Sequence, residues 1–319
     1  MIVSAPSQLI KGIQSLLIEA LMQPQSLPIF DAAATYVNSN SNLEDYAWLG
    51  EVAQVEEFVD EVQFESLSDA GGSASSTDLR LTNKKFTGGL EVLRDNLMDE
   101  TTGGIRQRIN DLTARAMRHV EAMLVLALTQ GDVSASPDQA GGNSYDGVTF
   151  FNATHTARGK QSSTQSNLIS YSGSSTANAQ TDLAASVTAL QNFLDEAAEP
   201  LNEGVTEMYV IYPPALHKPI AEAITAQTIS QTTNVQFSGL NWNLINAPRL
   251  TSHSAAEYYV GANVPGGTKA LIYQDREPVS FEALETGDTA FTKEVYRYKV
   301  RKRAAAGYGR WQRMVRVAA

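Results

Sequence analysis

The chain contains no cysteine among its 319 residues. Disulfides, thiolate metal sites and cysteine nucleophiles are therefore excluded. The absence fits assembly in a reducing compartment. Long apolar runs are also missing. The longest is Ala122–Leu128, too short to span a bilayer, and Glu19 interrupts the apolar stretch that starts at Leu16. The expectation is a soluble, cytoplasmic protein with no membrane contact. Histidine is scarce: the four are His119, His155, His217 and His253, and none forms an HxH or HExxH pair. No Gly-x-Ser-x-Gly elbow and no phosphate-binding Gly-x-x-x-x-Gly-Lys loop occurs. Gly103-Gly104 precedes a helical pattern but has no preceding strand and no following lysine, so it reads as a helix start. Catalytic, cofactor-binding and metal-binding residues are accordingly expected to be none, and the chain is not read as an enzyme.

What is present is enough for one large domain or two ordinary ones, with 43% hydrophobic residues to build a core. The net charge is −11, and its distribution says more than its sum. Residues 12–79 hold twelve acids and no Lys or Arg, whereas residues 293–316 hold nine Lys or Arg and one acid, Glu294. Such asymmetry reflects either solvated faces or complementary patches that meet between copies of the chain. An acidic total argues against a dedicated nucleic-acid binder.

Along the chain, Ile13, Leu16, Leu17, Ala20 and Leu21 repeat at helical spacing, with Pro24 and Pro28 expected to stop the helix. Residues 36–45 are polar and look dependent on a partner surface. Residues 50–88 read as two extended stretches around a loose tip at Asp69–Thr77, too long for a tight hairpin turn. A lone two-stranded ribbon is marginal in water, which suits one lying across a neighbouring subunit. The strongest helix covers 102–130: Ile105, Ile109, Leu112, Ala116, Val120, Met123 and Ala127 step by three and four. At ~1.5 Å per residue it would be about 40 Å long, with its Ala122–Leu128 end buried on most sides. Asp146-Gly147 signals a turn, and Val148–Phe151 a short buried strand.

Residues 180–265 read as an α/β module. One helix presents Leu183, Val187, Leu190 and Leu194, a strand runs Met208–Tyr212, and a second helix begins at Pro213-Pro214. Further strands are expected near Asn241–Ile245 and Tyr258–Val260. The remainder reads as strands: Leu271–Tyr273, a stretch around Val279–Ala283, a long one over Phe291–Arg303, and Arg310–Val317. Lys293, Arg297, Lys299, Arg301 and Arg303 share one face of the long strand, with Tyr296 and Tyr298 on the other. That basic face reads as an inter-subunit or nucleic-acid contact, the former preferred because it lacks interleaved aromatics. Its expected counterpart is the acidic stretch with Glu56, Glu57, Asp60 and Glu61, which reads as partner-facing and not as a tuned carboxylate dyad.

Several segments, taken in order, resemble a known family. They are Tyr46-Ala-Trp-Leu-Gly50, Leu81-Thr-Asn-Lys-Lys-Phe86, Leu90-Glu-Val-Leu-Arg-Asp95, Tyr145-Asp-Gly147 with Phe150-Phe151 and His155, and Arg301-Lys-Arg-Ala-Ala-Ala-Gly-Tyr-Gly-Arg-Trp311. Together they are similar to the major head subunit of Mu-like tailed bacteriophages. The resemblance implies an α+β protein of the Hong Kong 97-type capsid fold. It divides the chain into an N-terminal arm (1–45), an extended E-loop (46–90), a peripheral domain (91–179) with a spine helix at 102–130, an axial domain (180–265) and returning peripheral strands (266–319). It also implies self-assembly as hexamers and pentamers into an icosahedral virion shell around double-stranded DNA, held by non-specific contact. Separate scaffolding and portal proteins are the expected partners, with a decoration protein as a further candidate. The rival readings are a cellular nanocompartment shell of the same fold, an enzyme with its site in 180–265, and a tail or decoration protein.

Overall fold

The computed structural model describes residues 26–46, 79–98, 104–134, 143–156, 164–195, 198–226, 228–229, 232–233, 239–264, 267–284 and 292–319. The expected helix at 13–21 and the acidic stretch with its tip at 69–77 lie outside them.

The first described helix is α1 (Pro28–Ala33), which buries Ile29, Ala32 and Ala33. Pro28 starts this helix: at the first helical position its missing N–H costs nothing and its fixed φ is already helical. The chain continues into β1 (Ala34–Asn38) and β2 (Leu43–Tyr46). Within the range of the expected arm, β1 pairs in parallel with a later strand of the body from Ala34↔Leu271 to Asn38↔Asp275.

Next come β3 (Leu79–Thr82), β4 (Lys84–Leu93), a short α2 (Arg94–Met98) and the long α3 (Gly104–Thr129). α3 lies within the expected range. Ile109, Thr113, Val120 and Leu124 are buried along it, while Leu126 is 54% exposed, so the C-terminal half is not enclosed all round. After α3, Gly131 lies so close to Phe151 that a Cβ there would fall 2.5 Å from the ring. Gly147 turns the chain with φ 86°, as expected, but Val148–Phe151 does not form a strand. Thr149 makes only an isolated bridge to Asn143. The Phe151 N–H donates to the Gly131 carbonyl and the Phe150 carbonyl accepts from Asn167 in place of a strand partner, so Phe150 and Phe151 reach the core from irregular backbone.

Then follow β5 (His155–Thr156), β6 (Thr164–Gln165), β7 (Leu168–Ser170) and α4 (Thr176–Asn192), whose N-cap Ser175 accepts a hydrogen bond from the Asn178 N–H. The module continues with β8 (Glu207–Tyr212), a 3-10 turn at Pro214–Leu216 leading into α5 (His217–Thr225), β9 (Thr228–Ile229), β10 (Thr232–Thr233), β11 (Asn241–Asn246) and β12 (Tyr258–Asn263). The chain closes with β13 (Leu271–Leu284), β14 (Val295–Tyr308) and β15 (Met314–Ala318).

Two sheets organise these elements. The first has the order β1-β13-β14-β4, and the second β11-β8-β12-β15-β7. Within the second, β11 runs parallel to β8, and β12 is antiparallel to both β8 and β15. The 180–265 module therefore draws in β7 and β15 from outside its expected bounds. β15 saturates the edge that β12 would otherwise leave open, and its alternating Val315 and Val317 are fully buried. β8 is buried from Met208 to Tyr212, each large side chain contributing about 1.5–3 kcal/mol of burial. β13 is one strand where the residues suggest two. Pro278 sits inside a register shift between Glu277 and Ser280, where a ladder N–H is not required.

The main core joins the C-terminal half of α3 to the second sheet and α4. A separate cluster of Val92, Ile109, Tyr296 and Tyr298 sits under the N-terminal half of α3 at the far end of the first sheet. α3 thus bridges two apolar clusters along its length.

Candidate functional site

The far half of the first sheet carries most of the charge that the residues pointed to. β14 alternates as period two requires. Tyr296, Tyr298, Val300 and Lys302 are buried, while the odd positions 297–303 turn outward. Arg297 Nε meets Glu91 Oε2 of β4 at 2.8 Å, and Lys299 Nζ meets Glu282 Oε2 of β13 at 2.6 Å. Arg301 pairs with Glu277 at 3.1 Å, and Arg303 donates to Asn42 Oδ1 at 2.6 Å. Arg297↔Glu91 and Lys299↔Glu282 are directly opposed in the ladder. Lys299 holds the Glu282 carboxyl below the usual carboxylate range.

Four of the five cations singled out from the residues therefore have partners within the chain, and Lys293 is exposed at the approach to β14. Glu56, Glu57, Asp60 and Glu61 lie outside the described residues. The face is a ladder of alternating sign, not a basic stripe. Three of its five cations are matched by acids, so much of its positive charge is already compensated within the chain before any phosphate backbone could meet it. The pairs are a third to half exposed, so each is worth well under about 1 kcal/mol. Their main effect is to specify register. The acids were not apparent because Glu91 and Arg297 lie 206 residues apart.

At the base of the same face stands the β2–β3 pair. Leu81 packs with Ile272 and Ala305, supported by Val37 and Tyr46. The Tyr46 hydroxyl donates to Gln274 Oε1 at 2.7 Å. The antiparallel register sets Tyr46 opposite Leu79. Tyr46 and Leu79, the described residues on either side of the acid-rich stretch 47–78, therefore lie side by side. At the outer tip of the sheet, Leu93 and Leu284 are 51% and 48% exposed.

The most enzyme-like geometry lies elsewhere. His155 Nδ1 is 2.6 Å from Asp146 Oδ2, its Nε2 is 3.1 Å from the Phe150 carbonyl oxygen, and its ring stacks on Trp311 at 4.1 Å. The imidazole is fully buried. A carbonyl oxygen only accepts, so Nε2 carries a hydrogen, and Nδ1 is taken by the carboxylate. Neither nitrogen is left to meet a substrate, and the pair pins the 143–156 segment to the C-terminal strands. Among the described residues no group of three or more His, Asp or Glu is placed to hold a metal ion. No described helix is long and apolar enough to cross a membrane.

The family model described as Mu-like prophage major head subunit gpT matches residues 7–178 and 252–319. The chain is 23% identical over 281 residues to the Mu-like prophage FluMu major head subunit of Haemophilus influenzae, covering 88% of this chain and 62% of that one. It thus spans less than two thirds of that relative's length. Among solved structures, the procapsid of bacteriophage JBD30 superposes with a TM-score of 0.54 at 19% identity, covering 100% of this chain and 76% of that one. The virus-like particle from Pyrococcus furiosus gives 0.52 at 11% identity, over 96% of this chain and 98% of that one. The mature capsid of bacteriophage PhiM1 gives 0.52 at 8% identity, over 92% and 88%. The fold is the Hong Kong 97-type capsid fold, an α+β architecture.

Proposed function

This chain belongs to the family of Mu-like prophage major head subunits, and from that premise we propose that it is the subunit of an icosahedral phage head. Its role is structural: it assembles with copies of itself, as hexamers and pentamers, into the virion shell around double-stranded DNA. Assembly takes place in the host cytoplasm on a separate scaffolding protein, with a portal at one vertex and decoration proteins as further partners.

The observation that carries this reading is the anchoring of residues 47–78. The two ends of that acid-rich stretch, Tyr46 and Leu79, lie opposite each other, which supports a reading in which the stretch reaches a neighbouring copy. The exposed Leu93 and Leu284 at the sheet tip are apolar surface that a neighbour would cover. In this scheme residues 1–45 are the arm, 46–90 the E-loop, 91–179 and 266–319 the peripheral domain, and 180–265 the axial domain. Glu56, Glu57, Asp60 and Glu61 of one copy meet Lys293, Arg297, Lys299, Arg301 and Arg303 of the next. The ladder's intrachain acids hold Arg297, Lys299 and Arg301 in place, and because each pair is weak, partner exchange on assembly costs little.

Electron microscopy of the chain co-produced with its scaffold tests the reading. Closed shells are expected, and a chain lacking residues 51–75 should keep its circular dichroism while forming none. Persistent monomers of the full chain at high concentration would overturn the proposal. A protein-filled compartment is the rival, favoured by the fold likeness to the virus-like particle; enclosed cargo protein in place of DNA would establish it.

A further inference from the structure

Where α3 crosses the first sheet, between the two apolar clusters it bridges, lies a cavity of about 220 Å³. Leu112 and Ala116 of α3 form one wall, and Phe86, Val279 and Val300 of the sheet form the other. Lys302, His119, Arg115 and Arg301 also line it. Lys302 is 4% exposed, and its ammonium has no hydrogen-bond partner. The groups around it are the Phe86 and Tyr273 rings, at 6.0 and 5.8 Å. Asp275 attracts it without accepting a hydrogen bond, and burial outweighs that attraction, lowering the Lys302 pKa to about 8. His119 Nδ1 is likewise buried without a partner, its ring 4.5 Å from that of Phe86.

A desolvated ammonium with no acceptor is among the costliest features a fold can carry, and it is removed by an anion placed within reach. Two nitrogens with unused hydrogen-bonding capacity meet apolar walls here. We propose that this cavity binds a small monocarboxylate with a short apolar tail. The carboxylate accepts from Lys302 and His119, and the tail packs against Leu112, Val279 and Val300. Phosphate would leave the apolar side chains of Phe86, Leu112, Ala116, Val279 and Val300 uncovered, whereas an acid with a tail covers them. The volume limits the ligand: a cavity of roughly 150 Å³ holds benzene, so this one takes about nine non-hydrogen atoms, a limit that hexanoate respects. Because its walls come from α3 on one side and β4, β13 and β14 on the other, the bound acid would tie the long helix to the sheet.

Titration calorimetry of the full chain with hexanoate, 1-hexanol and inorganic phosphate tests this. Hexanoate should bind saturably, at least roughly tenfold more tightly than 1-hexanol, and phosphate should give no saturable heat. Lys302→Met should erase the preference for the acid over the alcohol. Ala116→Phe, which fills the space and leaves the charges, should lower hexanoate affinity by the same factor or more; it serves if Lys302→Met does not fold. No saturable hexanoate binding, equal binding of acid and alcohol, saturable phosphate binding, or unchanged affinity in Ala116→Phe would each overturn the proposal.

Discussion

Glu121, far along α3, accepts the backbone N–H of Phe30 at 3.0 Å and that of Ile29 at 3.1 Å. Leu27, at the N-cap of α1, supplies no side-chain bond, so this helix is capped by another helix distant in sequence. Burial raises the Glu121 pKa despite the two N–H donors. The folded state therefore holds the proton more tightly than the unfolded chain does, and this group's contribution to stability falls as pH rises from the ordinary carboxylate range through the raised folded value. Glu121→Ala should cost about 1–2 kcal/mol near neutral pH by leaving two N–H groups unpaired. Glu121→Gln keeps an acceptor, costs less, and flattens this part of the pH profile. Urea unfolding between about pH 4 and pH 7 checks both.

Periodicity announced the elements whose partners are close or whose faces are plain. The three-and-four spacing from Ile105 to Ala127 marks α3, and the alternation along β14 separates the buried tyrosines from the outward cations. The same alternation places Lys302 on the tyrosine side, so the strand's period alone marks a buried cation there. What local pattern does not contain is pairing across long separations. The parallel docking of β1 on β13, the capping of α1 by Glu121 and the choice of Glu91, Glu277 and Glu282 as partners all depend on register between distant segments. Leu271–Tyr273 and Val279–Ala283 belong to one strand because the bulge at Pro278 carries the ladder through a residue that has no N–H to give.

The Lys302 pKa, about 8, lies below that of an exposed lysine. Between that value and the ordinary 10.5 the unfolded chain binds more protons than the folded one, so stability rises with pH across this window. The charged ammonium is a burden at lower pH. Wild type should gain about 1–3 kcal/mol relative to Lys302→Met from about pH 7.5 to pH 10. Paired urea titrations of the two proteins isolate the term from tyrosine ionisation, which is common to both. Parallel curves would contradict it.

The His155–Asp146 pair is buried on both sides. His155→Ala should destabilise by about 3–5 kcal/mol, since it leaves the Asp146 carboxyl buried and removes the surface stacked on Trp311. The double variant His155→Leu with Asp146→Asn should recover a large part of that loss, because no unpaired charge remains. Thermal unfolding of both, followed by near-ultraviolet circular dichroism at Trp311, reads the effect; equal losses in the two variants would show that packing, and not charge pairing, dominates.

A Cβ at Gly307 would lie 2.3 Å from Leu81 Cδ2. The base of the β2–β3 pair therefore rests on bare backbone. Gly307→Val should lift this pair off the sheet, cost about 1–3 kcal/mol by overpacking, and expose the 47–78 connection to proteolysis. Leu81→Ala in the same chain should relieve the clash in part. Limited proteolysis mapped by mass spectrometry gives the position of any new cut. Cleavage unchanged from wild type would mean the sheet absorbs the added methyls.

The charge ladder separates folding from assembly. Arg297→Glu sets two acids opposite each other with Glu91, and should cost the isolated chain roughly 0.5–1 kcal/mol. Adding Glu91→Arg restores an opposite pair in the same register, so the isolated chain should regain wild-type stability. A neighbouring copy that brings Glu56, Glu57, Asp60 and Glu61 to this face would now meet Glu at position 297, with the cation moved one strand over. If the ladder's cations serve the neighbour as well as their own chain, the swapped protein folds normally yet assembles poorly, and the deficit shrinks as salt screens the mismatch. If the ladder serves register alone, the swap forms shells as well as wild type does at every salt concentration. Urea unfolding together with light scattering of assembly reactions across a salt series decides between the two, and the proposed contact between acidic loop and basic strand stands or falls with the second measurement.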